Sequence, residues 1–305
     1  MTTVLVTAVV VLVLVALVVA GLAGALFFGG FLLTRVLEIL APVLLLIWFV
    51  LHGRRGGPGW ERLAGKRYAH RGLHGSGVPE NSLWAFRRAA EAGYGAELDV
   101  HLTADGHLAV VHDSNLSRMC GVEAKVEDLT AAQLGKLRLA GTGESVPFLE
   151  QVLPLFEGRA PLVVELKTAG GNHAALCEKT MECLDRFGAD YCIESFDPRC
   201  LAWLRKHRPE VLRGQLTQDF LRRGEDQPLK NRLALTALLC NCLTRPDFVA
   251  CRYQDRRMAP MALWRLWGGR TALWTIRAPE ELEETERLGA LPIFEGFDPE
   301  EGSAK

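Results

Sequence analysis

Four short stretches of the chain carry ionisable residues of kinds that could do chemistry. Glu97-Leu98-Asp99 sets two carboxylates two residues apart, which in a strand places both on one face. Glu165-Leu166-Lys167 repeats the spacing with a carboxylate and an ammonium. Three carboxylates converging from different strands suit a hard divalent cation such as Mg2+ or Ca2+, which takes oxygen ligands. The plainer alternative is salt-bridged strand ends. His70-Arg71-Gly72 and His112-Asp113 each close an apolar run. Two histidines at strand ends can divide the work of general base and general acid near neutral pH. Arg71 and Lys167 offer positive charge for a phosphate, the arginine through its bidentate fork. A lone histidine is more often structural, and His74, His101 and His173 are read that way, although His101 shares a face with Asp99.

Strands and helices must position these groups. The apolar runs predict strands at Arg67–His70, Ala96–Leu102, Leu108–His112, Leu162–Lys167, Tyr191–Glu194, Val211–Leu216, Asp247–Cys251, Thr271–Ile276 and Pro292–Glu295. Helical patterns fall between them at Ser82–Ala92, Asn172–Phe187, Pro198–His207, Pro260–Trp267 and Pro279–Leu288, with Ser, Asn or Pro at their starts. Alternation over about 235 residues matches the size of a closed α/β (β/α)8 TIM barrel. A doubly wound open sheet is disfavoured because no GxGxxG follows the first strand. The stretch Leu229–Leu243 reads as an ordinary barrel helix or as a moderately apolar insertion able to lie against a bilayer.

The order of the motifs carries a resemblance. His70-Arg71-Gly72, Pro79-Glu80-Asn81-Ser82, Ala85-Phe86, Glu97-Leu98-Asp99-Val100, Thr103, Asp105-Gly106 and His112-Asp113 come first. Leu116, Arg118, Val146-Pro147-Phe148-Leu149-Glu150, Glu165-Leu166-Lys167, Ser195-Phe196 and Trp274-Thr275-Ile276 follow. This series, from Lys66 to Phe297, resembles the glycerophosphodiester phosphodiesterase family. The resemblance implies a TIM barrel that hydrolyses glycerophosphodiesters to sn-glycerol 3-phosphate and an alcohol with a divalent cation. By motif, Glu97, Asp99 and Glu165 would bind the metal, and His70 and His112 would be the acid–base pair. Arg71 and Lys167 would hold the phosphate, Glu80 and Asn81 would help shape the glycerol end, and Phe196 and Trp274 would wall the mouth. Two positions depart from the family pattern: Arg277 stands where the family usually has Asn, and the last strand ends Ile293-Phe294-Glu295-Gly296.

The chain's start is of a different character. Residues 1 to 34 carry no charged side chain, and Val4–Leu33 is almost wholly apolar. About 20 apolar residues cross a bilayer as a helix, whereas a secretory signal has a basic start and an apolar run of only about 7–15 residues. A second run, Ile39–Leu51, is a further span or an interfacial helix. Arg54, Arg55, Arg62, Lys66 and Arg67 then follow against the single acid Glu61, a bias that keeps this side in the cytoplasm. The expected organisation is an N-terminal transmembrane segment over residues 1–53 with one or two helices, a basic, Gly-rich linker over 54–64, and the barrel over 65–305. The expected location is a membrane, with the catalytic domain cytoplasmic.

Thirty-five Lys and Arg against 36 Asp and Glu give a net charge of −1, which argues against nucleic acid as a partner. Eight cysteines without a CxxC pair argue against zinc, and a domain of this size needs no disulfide staples, so free thiols are expected. The partners expected are a small-molecule phosphodiester or a lysolipid, and the membrane. Alternatives are lysophospholipase D-type hydrolysis of membrane lysophospholipids, a phospholipase-like relative that stops at a cyclic phosphate, and a non-catalytic membrane-bound barrel. The complete set of His70, Glu97, Asp99, His112 and Glu165 argues against the last.

Overall fold

A computed structural model describes residues 10, 12–21, 30–223 and 227–300. Nine strands form: β1 Tyr68–His70, β2 Gly95–Leu102, β3 Leu108–Val110, β4 Leu162–Leu166, β5 Tyr191–Ser195, β6 Arg213–Thr217, β7 Phe248–Arg252, β8 Arg270–Ile276 and β9 Leu291–Phe294. Eight of them pair in parallel around a ring, β1-β2-β4-β5-β6-β7-β8-β9, which β9 closes on β1. This is the TIM-like barrel the alternation predicts. The ninth, β3, is not a barrel strand: it runs antiparallel on β2, with Val100 opposite Val110.

The barrel strands are buried on both faces, so most read as largely apolar runs; β2, with Glu97 and Asp99, and β6, Arg213–Thr217, carry polar residues among them. Tyr68, Val163, Cys192, Leu216, Phe248, Ala250, Ala272 and Ile293 point inward and fill the lower barrel. Leu98, Val100, Val164, Ile193, Val249, Cys251 and Leu273 point outward into a second cluster shared with the crossover helices. Those helices start as their sequences require. Ser82 caps the helix Leu83–Glu91 by accepting from Ala85 N, and Asp197 caps Pro198–His207. The Leu229–Leu243 stretch lies in the β6–β7 crossover: a helix over Leu229–Thr236, tied to β6 by Thr217 Oγ1 donating to Leu235 O at 2.8 Å, a turn, and the start of a short helix over Asn241–Thr244. All eight cysteines are free thiols, five of them buried.

Helix α1, Gly30–Leu51, carries Arg35 and Glu38 as an ion pair, and Pro42. Among the described residues no helix is long and apolar enough to cross a membrane, so the expected transmembrane segment is not found there. Half of the longer expected run, Val4–Leu33, lies outside the described residues; of the described half, residues 12–21 are helical. The end of the expected anchor and the stretch expected as a linker are both fastened to the barrel floor, the end at which the strands begin. Asn241 Nδ2 donates to Leu51 O at 2.8 Å and Arg245 Nη1 to His52 O at 3.0 Å. Arg54 grips the buried Asp247 with two bonds of 2.6 and 2.8 Å, and Asp247 also accepts from Arg213 N. Arg55 donates to Trp267 O. A short helix α2, Trp60–Leu63, then plugs the floor, its Leu63 carbonyl accepting from the buried Tyr68 hydroxyl at 2.8 Å.

Candidate active site

The groups singled out in the sequence meet at the opposite end, where the parallel strands finish. His70, Arg71, Glu97, His112, Glu165, Lys167, Phe196 and Trp274 line one cavity of about 330 Å³. The upper inward positions of β1, β2 and β4 supply most of them, and pairing sets their level: His70 lies opposite Glu97, and Asp99 opposite Glu165. His112 arrives by another route. The β2–β3 hairpin rises above the rim and returns, its turn held by Thr103 Oγ1 bonding Asp105 and by Gly106 at φ 82. The returning strand, with Val111 N donating to Asp99 O at 3.0 Å, brings His112 back down to the cavity. His101 braces that return from behind, with Nδ1 on Glu127 at 2.7 Å and Nε2 on His112 O at 3.2 Å. His101 is structural, as expected, and His173 turns its ring onto the Gly171 carbonyl.

Glu97, Asp99 and Glu165 are buried, and one oxygen of each lies within 4.8 Å of the others. Lys167 Nζ stands 3.0 Å from Asp99 Oδ1 and 2.9 Å from Glu165 Oε1. Burial pushes the Glu97 carboxyl well above its ordinary range, aided by Asp99 and Glu165. Glu165 is pushed up to about 7 by burial, against the pull of Lys167. Burial acts the same way on Asp99, but Lys167, His112 and Arg71 outweigh it and hold that carboxyl well below the usual range. Three buried carboxylates face one ammonium and the Arg71 guanidinium, which Glu80 shares, and so are short of positive charge; their oxygen-only donor set fits a hard divalent cation.

Each histidine is held by a carboxylate. His70 Nδ1 bonds Glu295, and its Nε2 lies 3.8 Å from Glu97 Oε2. His112 Nδ1 bonds Asp113 Oδ1 at 2.7 Å. Burial lowers the pKa of both rings below the ordinary histidine value, outweighing their carboxylate partners. Glu295 in turn is held at about 2: burial opposes this, but His70 and Arg277 both favour the ionised form. The two departures from the family pattern are therefore partners, Arg277 Nη2 bonding the Glu295 oxygen that His70 does not use.

Glu80 and Asn81 are not among the residues lining the cavity; they stand behind it. Asn81 Nδ2 donates to Asp99 Oδ2 at 2.9 Å. Glu80 accepts from Arg71 at 2.8 Å and from Arg118 at 2.7 Å, and Arg118 also holds Asp113. Arg71 itself sits at φ 56, followed by Gly72 at φ 81, where a Cβ would lie 2.8 Å from the Ala85 carbonyl carbon. That tight turn aims Arg71 N at Glu97 Oε2, 3.1 Å away. Phe196 and Trp274 wall the cavity edge to face, centroids 5.8 Å apart. Sequence reasoning missed Glu194, Arg223 and Arg252, which also line it. The available signal was strand parity: Glu194 continues the inward series from Cys192, and Arg252 that from Phe248 and Ala250.

A family model described as the glycerophosphoryl diester phosphodiesterase family matches residues 70–295, nearly the span of the barrel. The chain belongs to this family. It is 35% identical over 167 residues to a glycerophosphodiester phosphodiesterase of Bacillus altitudinis, covering 51% of this chain and 68% of the relative. It is 31% identical to human lysophospholipase D GDPD1 over 176 residues, 53% of this chain and 51% of that one. A glycerophosphodiester phosphodiesterase of Parabacteroides distasonis shares the fold with a TM-score of 0.60 at 26% identity, covering 78% and 94% of the two chains. A phosphodiesterase of Oleispira antarctica, solved with the product sn-glycerol-3-phosphate, superposes with a TM-score of 0.65 at 20% identity, over 79% and 96%. As a glycerophosphodiester phosphodiesterase-family protein, this chain is a phosphoric diester hydrolase acting on a small-molecule diester.

Proposed function

We propose that the chain hydrolyses glycerophosphodiesters to sn-glycerol 3-phosphate and an alcohol by His70 and His112 acid–base catalysis, with a divalent cation held by Glu97, Asp99 and Glu165. The carrying observation is the convergence of two carboxylate-held histidines and a three-carboxylate cluster in one cavity. A cation bound there would neutralise the diester's charge and stabilise the charge developing on its oxygens in the transition state. Lys167 and Arg71 add fixed positive charge to the same end. Glu295 occupies His70 Nδ1, leaving Nε2 to accept a proton from the nucleophile, either water or the neighbouring glycerol hydroxyl. A neutral ring is the form burial favours, as a base requires. His112 protonates the leaving alcohol from its protonated form, which burial opposes and Asp99 and Asp113 favour; such transfers typically give about 10²–10⁴-fold each.

Residues 1–53 are proposed to attach the barrel to a membrane with its catalytic domain in the cytoplasm. The uncharged run Val4–Leu33 and the exposed Leu37, Ile39, Leu45, Leu46 and Phe49 of α1 support this reading. Carbonate extraction and protease protection of membranes bearing the full chain test it; a chain released by carbonate removes the anchor. The lysophospholipase D alternative keeps the same chemistry, and the likeness to the human enzyme favours retaining it. Turnover by the full chain in detergent decides the reaction, assayed on glycerophosphocholine, glycerophosphoethanolamine and a lysophospholipid, with EDTA and with Mg2+ or Ca2+ restored. Metal-dependent release of glycerol 3-phosphate from the soluble diesters is expected. Activity on the lysolipid alone would support the alternative, and no turnover by folded, metal-loaded protein would support a non-catalytic barrel.

A further inference from the structure

The catalytic groups crowd one side of the barrel mouth, on β1, β2 and β4. Around the ring β7 stands four strands from β2 in either direction, directly across the barrel. Its last residue, Arg252, continues the inward series of Phe248 and Ala250 and lines the cavity. Its register partner on β8 is Trp274, which lines the same wall. Both side chains present a buried N–H group with no hydrogen-bond partner, Arg252 Nη1 and Trp274 Nε1. The other cations of the cavity are engaged: Arg71 with Glu80, Lys167 with Asp99 and Glu165, Arg277 with Glu295, and Arg223 with Asp255 at 3.9 Å. Arg252 makes no ion pair among the described residues. The remaining cavity acid outside the metal cluster, Glu194, is the register partner of Glu165 and belongs to the acidic side.

Buried donors left unpaired are costly, about 1–3 kcal/mol each, unless something binds them. Two adjacent donors, one of them a guanidinium, call for an acceptor that bears negative charge. The scissile phosphate is claimed by the opposite side, where Lys167, Arg71 and the carboxylate cluster converge. A substituent of the diester that reaches across the mouth meets this wall, and since glycerol carries no charge, an anion there can come only from the alcohol that leaves. A choline or ethanolamine there would set a cation against the Arg252 guanidinium. We infer that Arg252 and Trp274 form an anion subsite for the leaving alcohol, so that the preferred diesters carry a phosphate or a carboxylate on that alcohol. This deepens the diesterase reading above and rests on it.

Matched substrate pairs isolate the charge. Full-length protein in detergent, loaded with Mg2+, is assayed on glycerophosphoinositol 4-phosphate against glycerophosphoinositol. Glycerophosphoserine against glycerophosphoethanolamine makes the second pair. The first pair adds a phosphate and the second a carboxylate, so they separate the two sources of the anion. The charged member of at least one pair is expected to have kcat/KM about tenfold higher. Arg252→Met is expected to remove that preference, lowering the charged member about tenfold more than its partner, and Arg252→Lys to restore part of it. Equal kcat/KM within both pairs would overturn the subsite; this wild-type comparison needs no variant to fold. An Arg252→Met loss equal on all four diesters would also overturn it, because the guanidinium would then serve the scissile phosphate. Turnover of none of the four would instead overturn the diesterase reading, and this inference with it.

Discussion

Replacing Glu165 by Gln should make the metal-free protein more stable while destroying its activity. Glu165 is buried in the fold beside Asp99, and its carboxyl is pushed from an ordinary 4.5 up to about 7. A carboxyl with a raised folded-state pKa binds a proton more tightly when folded than when unfolded. Its ionisation therefore costs the fold stability as pH rises from about 4.5 through about 7, and the cost is complete above that. One pKa unit is about 1.4 kcal/mol, so the shift amounts to about 3 kcal/mol at pH 8. Glutamine keeps the shape and carries no charge to desolvate. In EDTA at pH 8, Glu165→Gln should melt about 6–12 °C above the wild type, from about 2–4 °C per kcal/mol for a domain of this size. At pH 5, where the wild-type carboxyl is protonated, the gap should shrink to a few degrees. Millimolar Mg2+ should raise the wild type and leave the variant nearly unmoved, reversing or closing the difference. Thermal melts followed by tryptophan fluorescence at the two pH values, with and without metal, read all four states. A variant no more stable than wild type in EDTA at pH 8 would refute the premise that the empty acidic cluster strains the fold.

His112→Ala should lower kcat by at least about 10²-fold with an unchanged far-ultraviolet spectrum; turnover near the wild-type rate would remove His112 from the mechanism. Glu295→Gln takes away the group that raises the His70 pKa against burial, so the basic-form limb of the pH–rate profile should move to lower pH as kcat falls about tenfold or more. A profile unmoved on the pH axis would assign that limb to another group. Arg54→Ala leaves Asp247, whose side chain is fully buried, without its bidentate partner; a loss of about 3 kcal/mol in denaturant unfolding is expected, with kcat/KM retained in the folded fraction. Gly72→Ala should destabilise the protein and lower activity together, because the residue sits at positive φ with no room for a Cβ and aims Arg71 N at Glu97.

All nine strands were visible in the sequence to within a residue or two at their ends, most of them because a strand buried on both faces shows as a largely apolar run; β6, Arg213–Thr217, is buried although mostly polar. What such a run does not show is direction. Leu108–Val110 looks like any other strand, and only its pairing reveals a hairpin that carries His112 back to the mouth. The acid cluster was legible because its residues follow their strands at fixed spacing. The support behind it was not, since its partners are far apart in the chain: His70 meets Glu295 and Arg54 meets Asp247 across most of the molecule. Arg277 and Glu295 each looked like a lost family residue, and only the structure shows that the two bond one another. Arg252 fell one residue beyond the expected strand end, so its inward parity went unread.

The fastening of residues 51–55 across the floor decides which way the enzyme faces. The chain reaches the barrel at the end where the strands start, and the mouth opens at the end where they finish. A tether of free glycines would let the barrel roll and dip its mouth toward whatever surface holds residues 1–50. Here Asn241, Arg245 and Asp247 grip the incoming backbone and the Arg54 side chain at its base, which makes it a stalk and removes that swivel. A barrel mounted by its back samples the water in front of it. Were residues 1–50 held at a membrane as proposed, diesters already shed from lipid would reach such a mouth by diffusion, and a lysolipid seated in that leaflet would have to leave it first.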